Sequence, residues 1–172
     1  MRTRGACLRP GSIGVMPPRA ESPMTPNPAF IAALQASVRA APYPHLIGMV
    51  LADIGFDRCR IELELGPRHM QPFGIVHGGV LATLIDTATF WAGYLRLPQG
   101  TGLVNVDLKL NYLKAATTGR LRTEGTCLRA GRQVSVTEAS VFDAAGERIA
   151  HGISTLMAMP GKDLELGVAK FL

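Results

Sequence analysis

The stretch from Val80 to Leu95 constrains the fold more than any other part of the chain. Val80, Leu81, Leu84, Ile85, Phe90, Trp91, Tyr94 and Leu95 would be spread around the whole circumference of a helix. A helix that is apolar on every side is normally buried on every side. The rest of the chain must therefore wrap around it.

The flanking segments supply the wrapping. Ala29 to Ala40 reads as a short helix, which Pro42 and Pro44 end. From Ile47 to Leu65 the pattern turns strand-like: Ile61, Leu63 and Leu65 alternate with Arg60, Glu62 and Glu64, with a hairpin turn near Asp57 or Arg58. Gly66, Pro67, Pro72 and Gly74 mark an irregular loop leading into His77-Gly78-Gly79. Beyond the apolar helix, four strands are expected: Val104 to Tyr112, Arg120 to Arg129, Gln133 to Phe142 and Arg148 to Met159. Turns fall at Ala130-Gly131 and at Asp143 to Gly146. Strands joined by tight turns form an antiparallel sheet, so the expected class is α+β, a curved sheet around one long central helix.

One domain fits the 172 residues, and 47% hydrophobic content supplies its core. We expect that domain at 29–161, with 162–172 as a C-terminal tail. Residues 1–28 hold six prolines and little periodicity. They are expected to be a disordered extension, or to precede a true start at Met16 or Met24; an Arg-rich, nearly acid-free transit peptide is the alternative. The net charge of +5 resides largely in that extension, which argues against a nucleic-acid-binding face. Cys7, Cys59 and Cys127 form no paired spacing and read as reduced thiols of a cytoplasmic protein. No apolar run reaches the roughly 20 residues of a membrane span.

Asp86 is the only charged residue between His77 and Leu95. Taking an unpaired carboxylate out of water is costly. Its neighbours on the same helix face are small or polar: Gly79, Ala82, Thr83, Thr89 and Gly93. Either Asp86 looks into a space that a ligand or another chain occupies, or it pairs with a cation or accepts bonds from Thr83 and Thr89. At the helix start, Gly78 and Gly79 permit close approach to backbone N–H groups that have no partner inside the helix. Such groups can hold a carbonyl and stabilise the oxyanion formed on attack. Asp86 lies roughly 12 Å further along the same helix. Only a second, antiparallel copy could bring its carboxylate to this helix start, so a catalytic reading requires a homodimer.

The run from His77 through Asp86, Val104-Asn105-Val106-Asp107-Leu108, Asn111 to Ala115, Ala130-Gly131-Arg132 and Asp143 to Gly146 resembles the hotdog-fold acyl-CoA thioesterases, most closely the phenylacetate-degradation type. The resemblance spans about residues 45–160. It implies hydrolysis of an acyl-CoA, with aromatic or medium-chain acyl groups, by a homodimer or dimer of dimers. Asp86 resembles the carboxylate that acts as nucleophile or general base. Gly78 matches the glycine whose N–H polarises the thioester carbonyl, and His77 the histidine supporting that loop. Gln71 sits where the family carries an amide that positions water or the carbonyl. Asn105 stands where relatives often carry Ser or Thr serving the partner subunit's carboxylate. Gly79, Thr83 and Phe90 are expected to line the substrate, and Lys114, Arg129, Gly131 and Arg132 to approach the nucleotide. CoA belongs to the substrate, so no cofactor is implied.

Other chemistries find less support. There is no Gly-x-Ser-x-Gly elbow, no H-E-x-x-H, and no Gly-rich dinucleotide or Walker motif. His45, His69, His77 and His151 lack metal-ligand spacing, and Cys127 has no base placed beside it. A hotdog hydratase or dehydratase, and a non-catalytic acyl-CoA-binding module, remain as rival readings.

Overall fold

A computed structural model describes residues 24–172; the expectations placed on residues 1–23, including Cys7, lie outside them. Two helices lead, α1 (Pro28–Ala40) and α2 (Pro42–Ile47). The hairpin β1 (Met49–Gly55) and β2 (Arg58–Glu64) follows, then a loop with one 3-10 turn and the central helix α3 (Gly78–Tyr94). The strands β3 (Thr101–Asn105), β4 (Lys109–Tyr112), β5 (Arg120–Ala130), β6 (Val134–Phe142) and β7 (Arg148–Pro160) complete the sheet.

The sheet runs β1-β2-β5-β6-β7-β3, with β4 also on β7, and every pairing is antiparallel. Its concave face holds α3. Leu84, Ile85, Ala88 and Ala92 of the helix are fully buried in one cluster with Ile61, Leu121, Val141 and Ile149 of the strands. The helix backbone comes close at Gly125 of β5, where an added Cβ would stand 2.3 Å from the Ala88 carbonyl oxygen. Only glycine admits that approach.

Three local expectations need correction. Pro42 and Pro44 do not stop the helical chain; they open α2 after a one-residue break at Ala41. Proline fits a first helical turn, where its missing N–H would have no partner anyway. Gly48, with φ +73°, then ends α2 in the left-handed region. The expected strand Val104–Tyr112 is two strands, both on β7. Asn105 pairs with Leu156 but Lys109 with Ile153, so one extra residue bulges between them. Asp107 fills the break by accepting from the Thr155 backbone N–H (2.8 Å) and its hydroxyl (3.1 Å). Finally, α3 begins at Gly78 rather than Val80, because His77 caps it.

Residues 162–172 turn back over the C-terminal end of α3. Lys170 is fully buried, its Nζ 3.1 Å from Asp163 Oδ2 and 4.0 Å from the centre of the Tyr94 ring. Tyr94 donates its hydroxyl to Asp163, and the Gly100 N–H donates to the same carboxylate at 2.9 Å. Burial raises the Asp163 pKa, but the Tyr94 hydroxyl and the Lys170 ammonium outweigh it, and the net direction is down. The segment ends against the start of the domain: Leu172 N–H reaches Thr25 O (3.0 Å), and Phe171 pairs with Pro26 and stacks on Phe56.

Candidate active site

The loop before α3 is pinned from several sides. His69 is buried, and its Nδ1 accepts the Gly66 N–H at 2.9 Å. The ring's proton therefore sits on Nε2, which donates to Ile47 O at the end of α2 (2.8 Å). The His77 N–H bonds the His69 carbonyl, and the Val76 N–H bonds Ala116 O, both at 2.8 Å. Gln71 opens a tight turn: its N–H reaches Ile75 O and its carbonyl accepts from Gly74 N–H, each at 2.9 Å.

His77 is the N-cap of α3, and its Nδ1 accepts the Gly79 N–H at 2.8 Å. The Gly78 carbonyl accepts the Tyr112 hydroxyl at 3.2 Å. Tyr112 also explains the glycine, because a Cβ on residue 78 would lie 3.0 Å from its ring. The Gly78 N–H has no acceptor among the described residues. Two polar groups of this turn are thus held by side chains while the third stays open. Gln71, Gly78, Leu81, Tyr112 and Lys114 line a cleft of about 370 Å³ here. Lys114 is engaged at its edge by Glu147 and by Asp143 at 3.5 Å.

Asp86 sits on the half-open stripe of α3 that also carries Gly79, Ala82, Thr83 and Phe90. Burial raises its pKa above the ordinary 3.8, against the lowering effect of one hydrogen bond from Asn105. Asn105 Nδ2 reaches Asp86 Oδ1 at 2.8 Å and the Asp86 carbonyl at 3.2 Å. Asn105, at the end of β3, thus bonds the carboxylate of its own chain. No cation forms an ion pair with Asp86 among the described residues. Neither threonine bonds its carboxylate: Thr89 donates to the Asp86 carbonyl (2.8 Å), and Thr83 Oγ1 lies 2.8 Å from the Tyr43 hydroxyl.

The structure thus separates the expected residues into three groups. Gln71, His77, Gly78, Gly79 and Lys114 gather at the start of α3. Asp86, Asn105, Thr83 and Phe90 lie along its open stripe. Arg129, Gly131 and Arg132 line a larger cleft, about 1020 Å³, with Asp57, Arg96, Leu97 and Cys127. That cleft is beyond the far end of α3, a helix roughly 25 Å long. Tyr112, Tyr43 and His69 were not assigned to the site from sequence. The only sequence signal for Tyr112 is its place in the Asn111–Ala115 run, and nothing around His69 in the sequence marks it as a loop anchor.

The two cysteines described are poor nucleophiles. Burial pushes the Cys59 thiol up to about 12, and it also raises Cys127.

Comparisons with known proteins agree with this fold. Residues 73–150 match the thioesterase superfamily. The proofreading thioesterase EntH of Klebsiella pneumoniae is 32% identical over 118 residues, covering 69% of this chain and 85% of that protein. The proofreading thioesterase EntH of Cronobacter sakazakii is 33% identical over 118 residues, covering 67% and 84%. Among solved structures, a Haemophilus influenzae thioesterase superposes with a TM-score of 0.71 at 24% identity, over 77% of this chain and 92% of that one, a likeness in fold. A curved antiparallel sheet around a buried helix that carries one uncompensated carboxylate is a hotdog thioesterase architecture. The chain belongs to the thioesterase superfamily and is a thioester hydrolase.

Proposed function

We propose that this hydrolase cleaves acyl-CoA thioesters with aromatic or medium-chain acyl groups to the free acid and CoA, as a cytoplasmic homodimer or dimer of dimers. The observation that carries the reading is Asp86: a half-buried carboxylate held by one neutral amide, with no ion pair among the described residues. Burying a charge without a counter-charge is costly, and such sites are where proteins keep reactive groups.

One chain holds two incomplete halves, since Gly78 and Asp86 are separated along α3 by roughly 12 Å. Two antiparallel α3 helices about a two-fold axis bring Gly78 of one protomer opposite Asp86 of its partner. The Gly78 N–H, at the positive end of α3, then polarises the thioester carbonyl and takes up the charge of the oxyanion. Gln71 lines the same cleft and orients the carbonyl or the attacking water.

As general base, Asp86 removes a proton from water while the water oxygen bonds to the carbonyl carbon. The tetrahedral species collapses, the C–S bond breaks, and the proton passes to the departing thiolate. As nucleophile, Asp86 attacks the carbonyl carbon, the C–S bond breaks to release the CoA thiolate, and water opens the resulting mixed anhydride to the acid and the free carboxylate. The same antiparallel arrangement carries the partner's C-terminal end of α3, with its arginine-lined cleft, toward this helix start. Arg129 and Arg132 are the groups suited to the CoA phosphates.

The test is CoA release from an acyl-CoA panel by the wild type and Asp86→Asn, with the oligomeric state measured by light scattering. Wild-type rates in the variant, or full activity in a strictly monomeric protein, would overturn the reading. Single turnover in heavy-oxygen water can establish the nucleophile route: label in Asp86 requires an anhydride opened at the aspartyl carbon.

A further inference from the structure

The short helix α2 packs unlike the rest of the domain. None of its residues is buried, and Tyr43 and Leu46 are 53% and 64% exposed. It is fastened at its C-terminal end, where Arg68 donates to Leu46 O (2.9 Å) and His69 to Ile47 O (2.8 Å). From there the Tyr43 side chain reaches α3, its hydroxyl 2.8 Å from Thr83 Oγ1.

Thr83 is one turn before Asp86 on the open stripe, and Phe90 is one turn after it. Phe90 is itself fixed, edge-on to Trp91 (4.7 Å between centroids) and stacked on Tyr94 (6.0 Å). Asp86 therefore sits between two anchored aromatic rings. Thr83 and Phe90 are seven residues apart, so the gap along the helix axis is about 10 Å. Its floor, around Thr83, Asp86 and Thr87, carries no large side chain.

We propose that Tyr43 is a specificity-determining residue. Its phenol, moored on Thr83, walls the slot beside Asp86 on the helix-start side, opposite Phe90, and confines the acyl group to an aryl group or a chain of medium length. Each wall stands only about 5 or 6 Å along the axis from Asp86, so compact acyl groups are favoured, whereas a dodecanoyl chain overruns even the whole span. The inference rests on the acyl-CoA thioesterase reading, with the reacting carbon at Asp86, and assigns a selecting role to an element outside the catalytic set.

The experiment measures kcat/KM for acetyl-, hexanoyl-, phenylacetyl- and dodecanoyl-CoA with wild type, Tyr43→Ala, Tyr43→Phe and Thr83→Val. The wild type should favour hexanoyl- and phenylacetyl-CoA. Tyr43→Ala should raise the dodecanoyl-to-hexanoyl ratio about tenfold or more, the scale on which apolar pockets discriminate. Tyr43→Phe and Thr83→Val keep a ring but release its mooring, and should move the ratio the same way by about two- to fivefold. An unchanged ratio in folded Tyr43→Ala overturns the proposal; if that variant does not fold, an unchanged ratio in Thr83→Val does so. A wild type that prefers dodecanoyl-CoA also overturns it. These outcomes leave the hydrolase reading intact, whereas a wild type that turns over no acyl-CoA overturns both.

Discussion

The side-chain amide of Asn105 grips residue 86 at two points, the carboxylate at 2.8 Å and the backbone carbonyl at 3.2 Å. It offers the carboxylate a hydrogen bond without neutralising it. A lysine at the same place would lower the pKa and weaken the base; a leucine would leave the oxygens unsatisfied. The amide favours the ionised form of Asp86 and fixes its orientation.

Asp86→Asn should abolish turnover, by about a hundredfold or more, because the group that attacks or activates water is lost. It should also stabilise the protein at neutral pH. The folded pKa of Asp86 lies above 3.8, so the folded state holds its proton more tightly than the unfolded chain. Stability from this residue is full below the unfolded pKa and is lost as pH rises through the folded one. Thermal melts should show the variant above wild type at pH 7 and the gap closing in acid.

Asn105→Ala should move the acid limb of the pH profile. Loss of the one bond that favours ionised Asp86 raises its pKa further. The inflection of kcat/KM should shift to higher pH, with activity at high pH retained better than activity at low pH. An unmoved limb would mean that Asn105 does not act on the carboxylate.

Tyr112→Phe keeps the ring against Gly78 and removes only the hydroxyl bond to the Gly78 carbonyl. One neutral hydrogen bond is worth about 1 kcal/mol, so kcat should fall about fivefold. KM for acyl-CoA should change little, because the phenol orients the turn that supplies the Gly78 N–H. Steady-state kinetics separate this from a loss of affinity.

Lys170→Ala should be strongly destabilising although it is remote from Asp86. It strips the partly buried Asp163 of its cation, at a cost of about 2 kcal/mol. Denaturant titration should show the loss. Lys170→Ala combined with Asp163→Asn should recover part of it, since the remaining buried charge is then gone.

The sequence made the main layout legible where a single physical demand dominated. A helix apolar on all sides had to be wrapped, and Asp86, its one charge, had to be special. Gly78 stood out because helix starts expose N–H groups. What the sequence leaves hidden depends on side chains acting over distance. Asp107 substitutes for ladder bonds and splits one expected strand in two, which alternation cannot reveal. Pro42 reads as a terminator yet serves as an initiator, and only the position of the preceding break decides which. The contacts of Tyr43 with Thr83 and Tyr112 with Gly78 join segments 40 and 34 residues apart. The buried Lys170 lay in a stretch that carries no periodic pattern.

The hydrogen bond between Leu172 N–H and Thr25 O places the two edges of the described chain side by side. Topologically, the domain is almost a closed ring. A brief linker from Leu172 to Thr25 would complete it, and the backbone could then be reopened at the exposed turn around Gly146, far along the sequence from Gly78 and Asp86. Such a circular permutant should hydrolyse the same substrates as the parent, with its order of elements rotated and only the contacts of Asp143 and Glu147 with Lys114 disturbed near the cleft.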